Sequence, residues 1–591
     1  MELGRTKISY MIVYGLAIYF HEKLKQRLNH CDCFVICFDE SLNKYSQKQQ
    51  MDIAIRFWCT DKNEVATHFY SSAFLGHSTS QDLIQAFKTE LKDLNLKKLL
   101  QISMDGPNVN IKFFKDLQID LSQSHDENDP VVLFMGTCGL HVINNAFKTS
   151  FYAAKWNVAI FLRALYNLFK DSLARRSDFL YYSGSSLMPV KFCPVRWLNN
   201  SKVAERALEM LPHLRKYKES LQRDKKEILS YSYKVVAEGL NDKFMPVRLA
   251  FFCYVSKLIE PFLEKYQNNA PLAPYLYNDI TSLLVDLMNI FVKKEVLEKE
   301  TNIDRIDLNN NANMILSKNL KLGFAVKAEL KKQKEIKEFE IKSFKDDCVT
   351  ILKLICQKII AKSPIKYKLC KGITFCDPQL LSYSLSQALR RLEIVLEIFQ
   401  EKKWIGYTEC DELYKEFKDF CSKRGALESF KQFDRLSQKL DNFWYNLIVT
   451  KNGSQKLLNL LKKILILSHG NAFVEKGFSI NKEVIVENQL AKSLVAQRQV
   501  YDAIQALGGL DNIVIDKQMI LKIRNARSLY NEGLKEAKKK SETEANENLN
   551  KRRLVAEIDD LKKKRLKIIA EKQKERDLIK EKIQALLSIR K

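Results

Sequence analysis

Two aspartates stand where apolar β-type runs give way to turns, and carboxylates at such places can bind a metal ion. Asp105 follows LLQIS in SMDGPNVN, where Gly, Pro and Asn favour a turn. Asp39 closes the first strand-like run, CDCFVICFDES. Two Mg²⁺ ions held by carboxylates can clamp the attacking and leaving oxygens of a phosphoryl transfer. This chemistry requires a third carboxylate, and the alternative is that each aspartate only caps a turn.

The elements that would position these aspartates form a small sheet. Residues 31–75 read as an antiparallel meander, because MDIAIRFW alternates apolar residues with Asp52 and Arg56. A helix capped by Ser78 or Ser80 follows, and then a strand ending at Ser103. A helix near 110–118 and a buried strand, PVVLFMG at 130–136, complete the predicted order of strand, strand, strand, helix, strand, helix, strand.

Helical periodicity replaces strand patterns from about 140 to 530. Beyond 533 the sequence is rich in charge, and apolar residues recur there at alternating spacings of four and three. Arg565, Lys572, Glu575 and Lys582 interrupt this seam. The tail is therefore expected to be either a long solvated helix or a weak coiled coil.

The composition describes a folded chain with a basic surplus. At 591 residues it should hold two to four domains. The net charge of +26 favours a polyanion, either nucleic acid or an anionic membrane face. No apolar run approaches the roughly 20 residues that span a bilayer, and MIVYGLAIYF reads as a buried helix. The 13 scattered cysteines indicate reduced thiols in the cytosol or nucleus.

Five motifs in order carry a resemblance to a known family. CFDES, SMDGPNVN, CGLHVINNAFK, PVRWLNN and NAFVEKGFSINKEV resemble the ordered motifs of hAT-superfamily cut-and-paste DNA transposases and their domesticated relatives, over roughly residues 5–510. The resemblance implies an α/β fold with a large all-α part, namely a ribonuclease-H-like catalytic core that a helical insertion domain interrupts.

The resemblance also implies a catalytic triad. Asp39 matches the first acid of the Asp-Asp-Glu set, Asp105 the second and Glu475 the third, and together they would hold Mg²⁺ or Mn²⁺. Gly470 and Asn471 can start the helix that carries Glu475. Lys476 stands where the family usually has Arg, which keeps the charge but loses bidentate phosphate geometry.

Two further pairs match the family pattern. Arg196 and Trp197 match its Arg-Trp pair, which would grip a distorted or unpaired nucleotide of DNA by stacking and charge; a core tryptophan is the alternative. Cys138 and His141 match its Cys-x-x-His. Since two ligands cannot complete a tetrahedral zinc site, we expect them to shape the floor of the active site without binding metal.

The resemblance also gives a domain organisation and expected partners. DNA is the expected partner in the nucleus, together with a second copy of the chain in a homodimer or larger oligomer, and no membrane is expected. The predicted segments are an N-terminal helix at 1–30, the first part of the core at 31–150, the helical insertion at 151–440, core completion with the hAT-type dimerisation region at 441–530, and a charged helical or coiled-coil tail at 531–591.

One expected module is not evident in the sequence. Complete transposases of this type usually begin with a zinc finger of the BED type, and no Cys-x-x-Cys with a following His pair occurs here. Sequence-specific recognition of transposon ends is therefore not expected, and whether Met1 is the true start stays open. Three hypotheses remain: a DNA strand-transfer enzyme, a catalytically inactive dimerising scaffold, and a helical scaffold with no nucleic-acid role.

Overall fold

The computed structural model describes residues 4–124, 126–193, 200–226, 228–300, 302–333, 335–487 and 489–589. The chain divides into two units. One comprises Met1–Phe20 and Asp511–Lys591, and the other comprises His21–Leu510. None of the described helices is both long enough and apolar enough to cross a membrane.

A four-stranded mixed sheet lies in the unit His21–Leu510. Its strands are β1 Phe34–Asn43, β2 Lys48–Cys59, β3 Glu64–Leu75 and β4 Leu99–Ser103, in the order β3-β2-β1-β4. β1, β2 and β3 form the expected antiparallel meander, and β4 lies parallel to β1. The short turn TDKN between β2 and β3 fits this hairpin, since Asn63 adopts a positive φ of 51°.

The rest of the described chain is mostly helical, as the sequence pattern predicts. The α-helices are α1 Arg5–Met11, α2 Ala17–His30, α3 Ser80–Glu90, α4 Asn108–Ser124, α5 Gly139–Ala153, α6 Val158–Lys170, α7 Leu173–Ser183, α8 Asn200–Arg223, α9 Tyr231–Asn241, α10 Met245–Tyr266, α11 Leu276–Met288, α12 Lys294–Lys299, α13 Phe324–Lys332, α14 Glu338–Lys362, α15 Lys368–Gly372, α16 Pro378–Tyr383, α17 Leu385–Glu401, α18 Tyr407–Cys421, α19 Arg424–Gln432, α20 Leu440–Thr450, α21 Gln455–Leu465, α22 Ala472–Val484, α23 Ala491–Ala506 and α24 Lys517–Ile589.

Each face of the sheet packs into its own apolar core. Successive side chains of a strand point to opposite faces, and Ile36 and Phe38 of β1 pack with Phe87 of α3 and Phe113 of α4. On the other face, β1 contributes to the large core of the helical part, through residues such as Val35 and Cys37. The sheet is therefore covered on both sides, and its polar residues on the second face are enclosed.

Three local expectations need correction. Thr79, not Ser78 or Ser80, caps α3, because its hydroxyl accepts from the Asp82 amide while the Asp82 carboxylate accepts from the Thr79 amide. The predicted strand at 130–136 is reduced to one parallel bridge, between Leu133 and Gln101. Asp39 does not end its strand, since β1 continues to Asn43.

Candidate active site

Strands β1 and β4 bring the two aspartates to the same region of the sheet. The strands run parallel with Cys37 paired to Ser103. Asp39 lies two residues beyond Cys37 along β1, and Asp105 lies two residues beyond Ser103, after β4 has ended. Because alternate residues share a face, this register places Asp39 on the face of Cys37, which the helical part covers.

Helix α22 brings Glu475 to the aspartates. Asn471 precedes the helix, and its side-chain amide donates to the Phe38 carbonyl at 2.9 Å and lies 3.5 Å from Asp105 Oδ1. The start of the helix is thereby tied to the backbone of β1. Glu475 lies in the first turn and is 7% exposed, where the positive end of the helix dipole favours a carboxylate.

His141 joins two of the three acids. Its Nδ1 lies 2.9 Å from Asp105 Oδ1 and 3.6 Å from Glu475 Oε1. Helix α5 carries His141 and begins after Cys138, whose backbone amide donates to the Met104 carbonyl at 3.1 Å. The candidate ligand atoms of Asp105, Cys138 and His141 all lie within 4.8 Å of one another.

Burial and neighbouring groups shift the pKa values of Asp39 and His141. Burial, and then the charges of Asp105 and Glu475, hold the pKa of Asp39 well above its usual range, although His141 and the Glu40 amide oppose this. Burial would lower the pKa of His141, but its bonds to Asp105 and Cys138 outweigh that effect and raise the pKa. The site therefore brings together carboxylates that repel one another, and a protonated His141 would offset part of this repulsion.

A buried network of polar side chains holds α22 against the sheet. Asp52, the cross-strand partner of Asp39, accepts from Ser72, Gln50 and, at 2.7 Å, the Asn481 side chain on α22. Arg498 on α23 faces Asp52 and stacks over Phe69, with its guanidinium carbon 4.9 Å from the ring centroid. The network fixes α22, and hence Glu475, against β2 and β3.

A second buried cation anchors the segment that leads to α22. Arg56 on β2 is 2% exposed, and it donates to the backbone carbonyls of Ile466, Leu465 and Asn269. The carbonyls at the end of α21 have no partner within their helix, so a cation is well placed there. Arg56 thus holds the end of α21 on the sheet, and six residues separate α21 from α22.

Sequence reasoning missed these supporting residues. The alternation in MDIAIRFW assigned Asp52 and Arg56 to one face of β2 but did not show that this face is buried. Arg498 and Asn481 are single polar residues on helices, and nothing in the sequence predicted that they would be buried beside Asp52. The predicted Arg196–Trp197 pair lies outside the described residues.

Two comparisons with known proteins found no match for this sequence. No family model matches the sequence, and a search of curated proteins finds no significant match.

Proposed function

We propose that this chain is a transposase-derived, DNA-binding protein of the hAT type, whose core cleaves and transfers phosphodiester strands of DNA with the help of a divalent metal. The observation that carries the proposal is the approach of acids from three separate elements. Asp105 and Glu475 both contact His141, and burial, followed by the charges of the same two acids, raises the pKa of Asp39.

The sheet is compatible with a ribonuclease-H-like core. An antiparallel meander is joined by a parallel strand next to β1, and the Leu133 bridge adds a further parallel position beyond β4. The helices that follow α5 stand where the resemblance expects an insertion, and the chain then returns to the sheet through α22. Helix α22 contacts both β1 and β2.

We propose Mg²⁺ or Mn²⁺ as the ion of this site. Among the described residues, the candidate ligand atoms that lie within 4.8 Å of one another are those of Asp105, Cys138 and His141, so a bound ion would have to draw in Asp39 and Glu475. Three carboxylates supply the oxygen ligands that hard cations prefer, and a bound cation would relieve the repulsion between them. Asn471 Oδ1 is a buried acceptor with no hydrogen-bond partner among the described residues. Asp39, Asp105 and Glu475 would hold the ion, which when bound supplies Lewis-acid stabilisation of the charge that develops on the phosphoryl oxygens.

The protein's own groups prepare this site. Asn471 orients the start of α22 and faces Asp105. His141 Nδ1 lies 2.9 Å from Asp105 Oδ1 and 3.6 Å from Glu475 Oε1, so a protonated imidazole would interact with both carboxylates. The +26 charge supplies non-specific affinity for phosphates, and we assign the Arg196–Trp197 pair to gripping an unpaired nucleotide. We place self-association in residues 441–530 and the protein in the nucleus.

A cleavage assay tests the proposal. The purified full chain should nick duplex or hairpin DNA in Mn²⁺, and Glu475→Gln should slow the reaction by about 100-fold or more. Glu483→Gln is the matched control, because Glu483 is exposed near the other end of the same helix. Equal rates in the two variants would refute the role of Glu475.

The inactive scaffold is the second candidate. The observation that favours it is the ion pair of His141, a cation of the protein's own that already neutralises part of the acidic site. A wild-type chain that binds DNA and cuts none of these substrates in Mn²⁺ or Mg²⁺ would support the scaffold over the enzyme.

A further inference from the structure

The last helix, α24, is packed only along its first part. Within the unit that it shares with the N-terminal segment, Met519 and Ala526 are buried, and Tyr530 stacks on Tyr10 with ring centroids 5.5 Å apart. Every residue from 551 to 588 is exposed. Nothing described in the chain covers this second part.

The exposed part carries an apolar seam. Ile558, Leu561, Ile568, Ile579 and Leu586 are each 50–67% exposed. They fall on one repeat of alternating four and three, which places residues on one side of a coiled coil, and charged residues occupy the other positions of that repeat. Isolated helices are marginal in water, and helices in proteins owe most of their stability to packing of an apolar face. A partner that covers the seam would therefore stabilise this part of the helix.

The residues along the seam read the same in both directions. From either end of the seam towards its centre, the order is leucine, a basic residue, isoleucine and a charged residue. The two charged residues that meet at the centre have opposite signs. The series is Leu561, Arg565, Ile568, Lys572, Glu575, Ile579, Lys582 and Leu586. A two-fold axis brings the same surface of two copies together in opposite directions, so the apolar positions and the two central charges of this series would meet favourable counterparts in a second copy.

We propose that residues 558–588 of two copies of this chain form an antiparallel coiled coil, with Lys572 of each copy opposite Glu575 of the other. This alignment also sets Leu561 against Leu586 and Ile568 against Ile579. A parallel pair in register would instead stack four layers of like charge, at Arg565, Lys572, Glu575 and Lys582, and like charges in contact are unfavourable.

The antiparallel alignment contains one unfavourable pairing, which the two-fold symmetry repeats at both ends of the coiled coil. Arg565 lies opposite Lys582 in it, but long basic side chains can lay their stems on the seam and extend their charges to water. Shifting the alignment by one heptad in one direction sets Ile568 against Lys572. Shifting it in the other direction sets Lys572 against Lys582. The first shift would pair Arg565 with Glu575, but each shift sets only one pair of apolar residues of the series together, whereas the proposed alignment sets two, Leu561 with Leu586 and Ile568 with Ile579.

Photochemical cross-linking of the full chain tests the direction of pairing. A photoreactive p-benzoylphenylalanine replaces Ile568, and unlabelled and ¹⁵N-labelled proteins are mixed so that links between two copies can be recognised by mass. We expect links from position 568 to residues 575–583 of the other copy. Links to residues 565–571, or an absence of links between the tails of two copies, would overturn the proposal.

Charge exchange at the centre tests the alignment. Lys572→Glu or Glu575→Lys alone should raise the protein concentration that gives half-maximal cross-linking by about tenfold, and the double exchange should restore it. Lys563→Glu is the control, because it changes the same charge on the outer side of the helix. A double exchange that does not restore cross-linking, or a control that weakens it equally, would contradict the pairing of Lys572 with Glu575.

Discussion

The ionised side chain of Asp39 should lower the free energy of unfolding of the protein when no metal is bound. Its pKa is raised by burial and by Asp105, so the folded state binds a proton more tightly than the unfolded chain does. The stability contributed by the neutral form is thus lost as pH rises above about 3.8. At pH 7 in a chelator, Asp39→Asn should raise the free energy of unfolding by about 0.5–2 kcal/mol.

Denaturant unfolding of the wild type and the variant measures this effect. Asp61→Asn is the control, because Asp61 is exposed and pairs only with Arg27 at 3.2 Å in the described structure. If Asp39→Asn were less stable than the wild type, the ionised Asp39 carboxylate would not be unfavourable in the folded protein.

His469 should make the fold sensitive to acid. The side chain is fully enclosed beside Tyr266, and burial followed by the charge of Arg56 lowers its pKa to about 4. The unfolded chain binds this proton near pH 6.5, so stability is complete above that pH and falls as the pH drops towards 4. The full difference between the two pKa values corresponds to about 3 kcal/mol.

The difference between the wild type and His469→Gln isolates this contribution. The variant should lose less stability than the wild type between pH 6.5 and 4.5, whatever its stability at pH 7. His77→Gln, at an exposed position, should keep the wild-type slope. Parallel pH profiles for wild type and His469→Gln would contradict the assignment.

At the scale of elements, sequence patterns predict the type of secondary structure that a segment forms. They predict less well which other segments pack over it. The strands of the meander and the helix that begins after Asn471 follow from alternation and turn residues. The short strand at 130–136 does not form as a strand, because an apolar run fits a buried loop equally well and only Leu133 pairs. Asp52 looked like a residue on a polar face, but helices from far along the chain enclose it.

The candidate site shows the same limit. The resemblance to the family motifs selected Asp39, Asp105 and Glu475, and residue type and spacing alone did not. The contact of His141 with two of these acids could not be derived from the sequence, since it depends on how α5 and α22 pack. The network of Arg498 and Asp52 depends likewise on tertiary packing.

Gly477 allows α22 to approach this network closely. A Cβ at this position would lie 2.8 Å from Arg498 Nη2 and 3.7 Å from Asp52 Oδ2. Gly477→Ala should therefore lower the free energy of unfolding by about 1–3 kcal/mol, as measured with denaturant. Gly76→Ala is the control, since nothing lies within 4 Å of its added Cβ. Equal stability of both variants would show that α22 can shift without cost.

At the scale of the whole molecule, the positive charge should govern DNA binding. Contacts with phosphates give affinity without sequence information, whereas base readout needs a reader placed in a groove. Binding should therefore be nearly independent of sequence, and log affinity should fall with log salt by about 0.9 per phosphate contact. Titrations of unrelated duplexes at several salt concentrations measure both, and strong preference for one duplex would contradict this expectation.

The same titrations can test Trp197. Trp197→Ala should weaken binding to hairpin DNA more than to plain duplex, because only the hairpin offers unstacked bases. An equal loss on both DNA forms would reject stacking as the role of this tryptophan.

The most direct test of the proposed site is the binding of Mn²⁺ to the full chain, measured by isothermal titration calorimetry. The wild type and the Asp61→Asn control should bind the ion with equal affinity. The double variant Asp39→Asn with Asp105→Asn should show no binding, because two of the three carboxylate ligands are gone. Equal affinity of the wild type and the double variant would contradict the assignment of Asp39, Asp105 and Glu475 as a metal site.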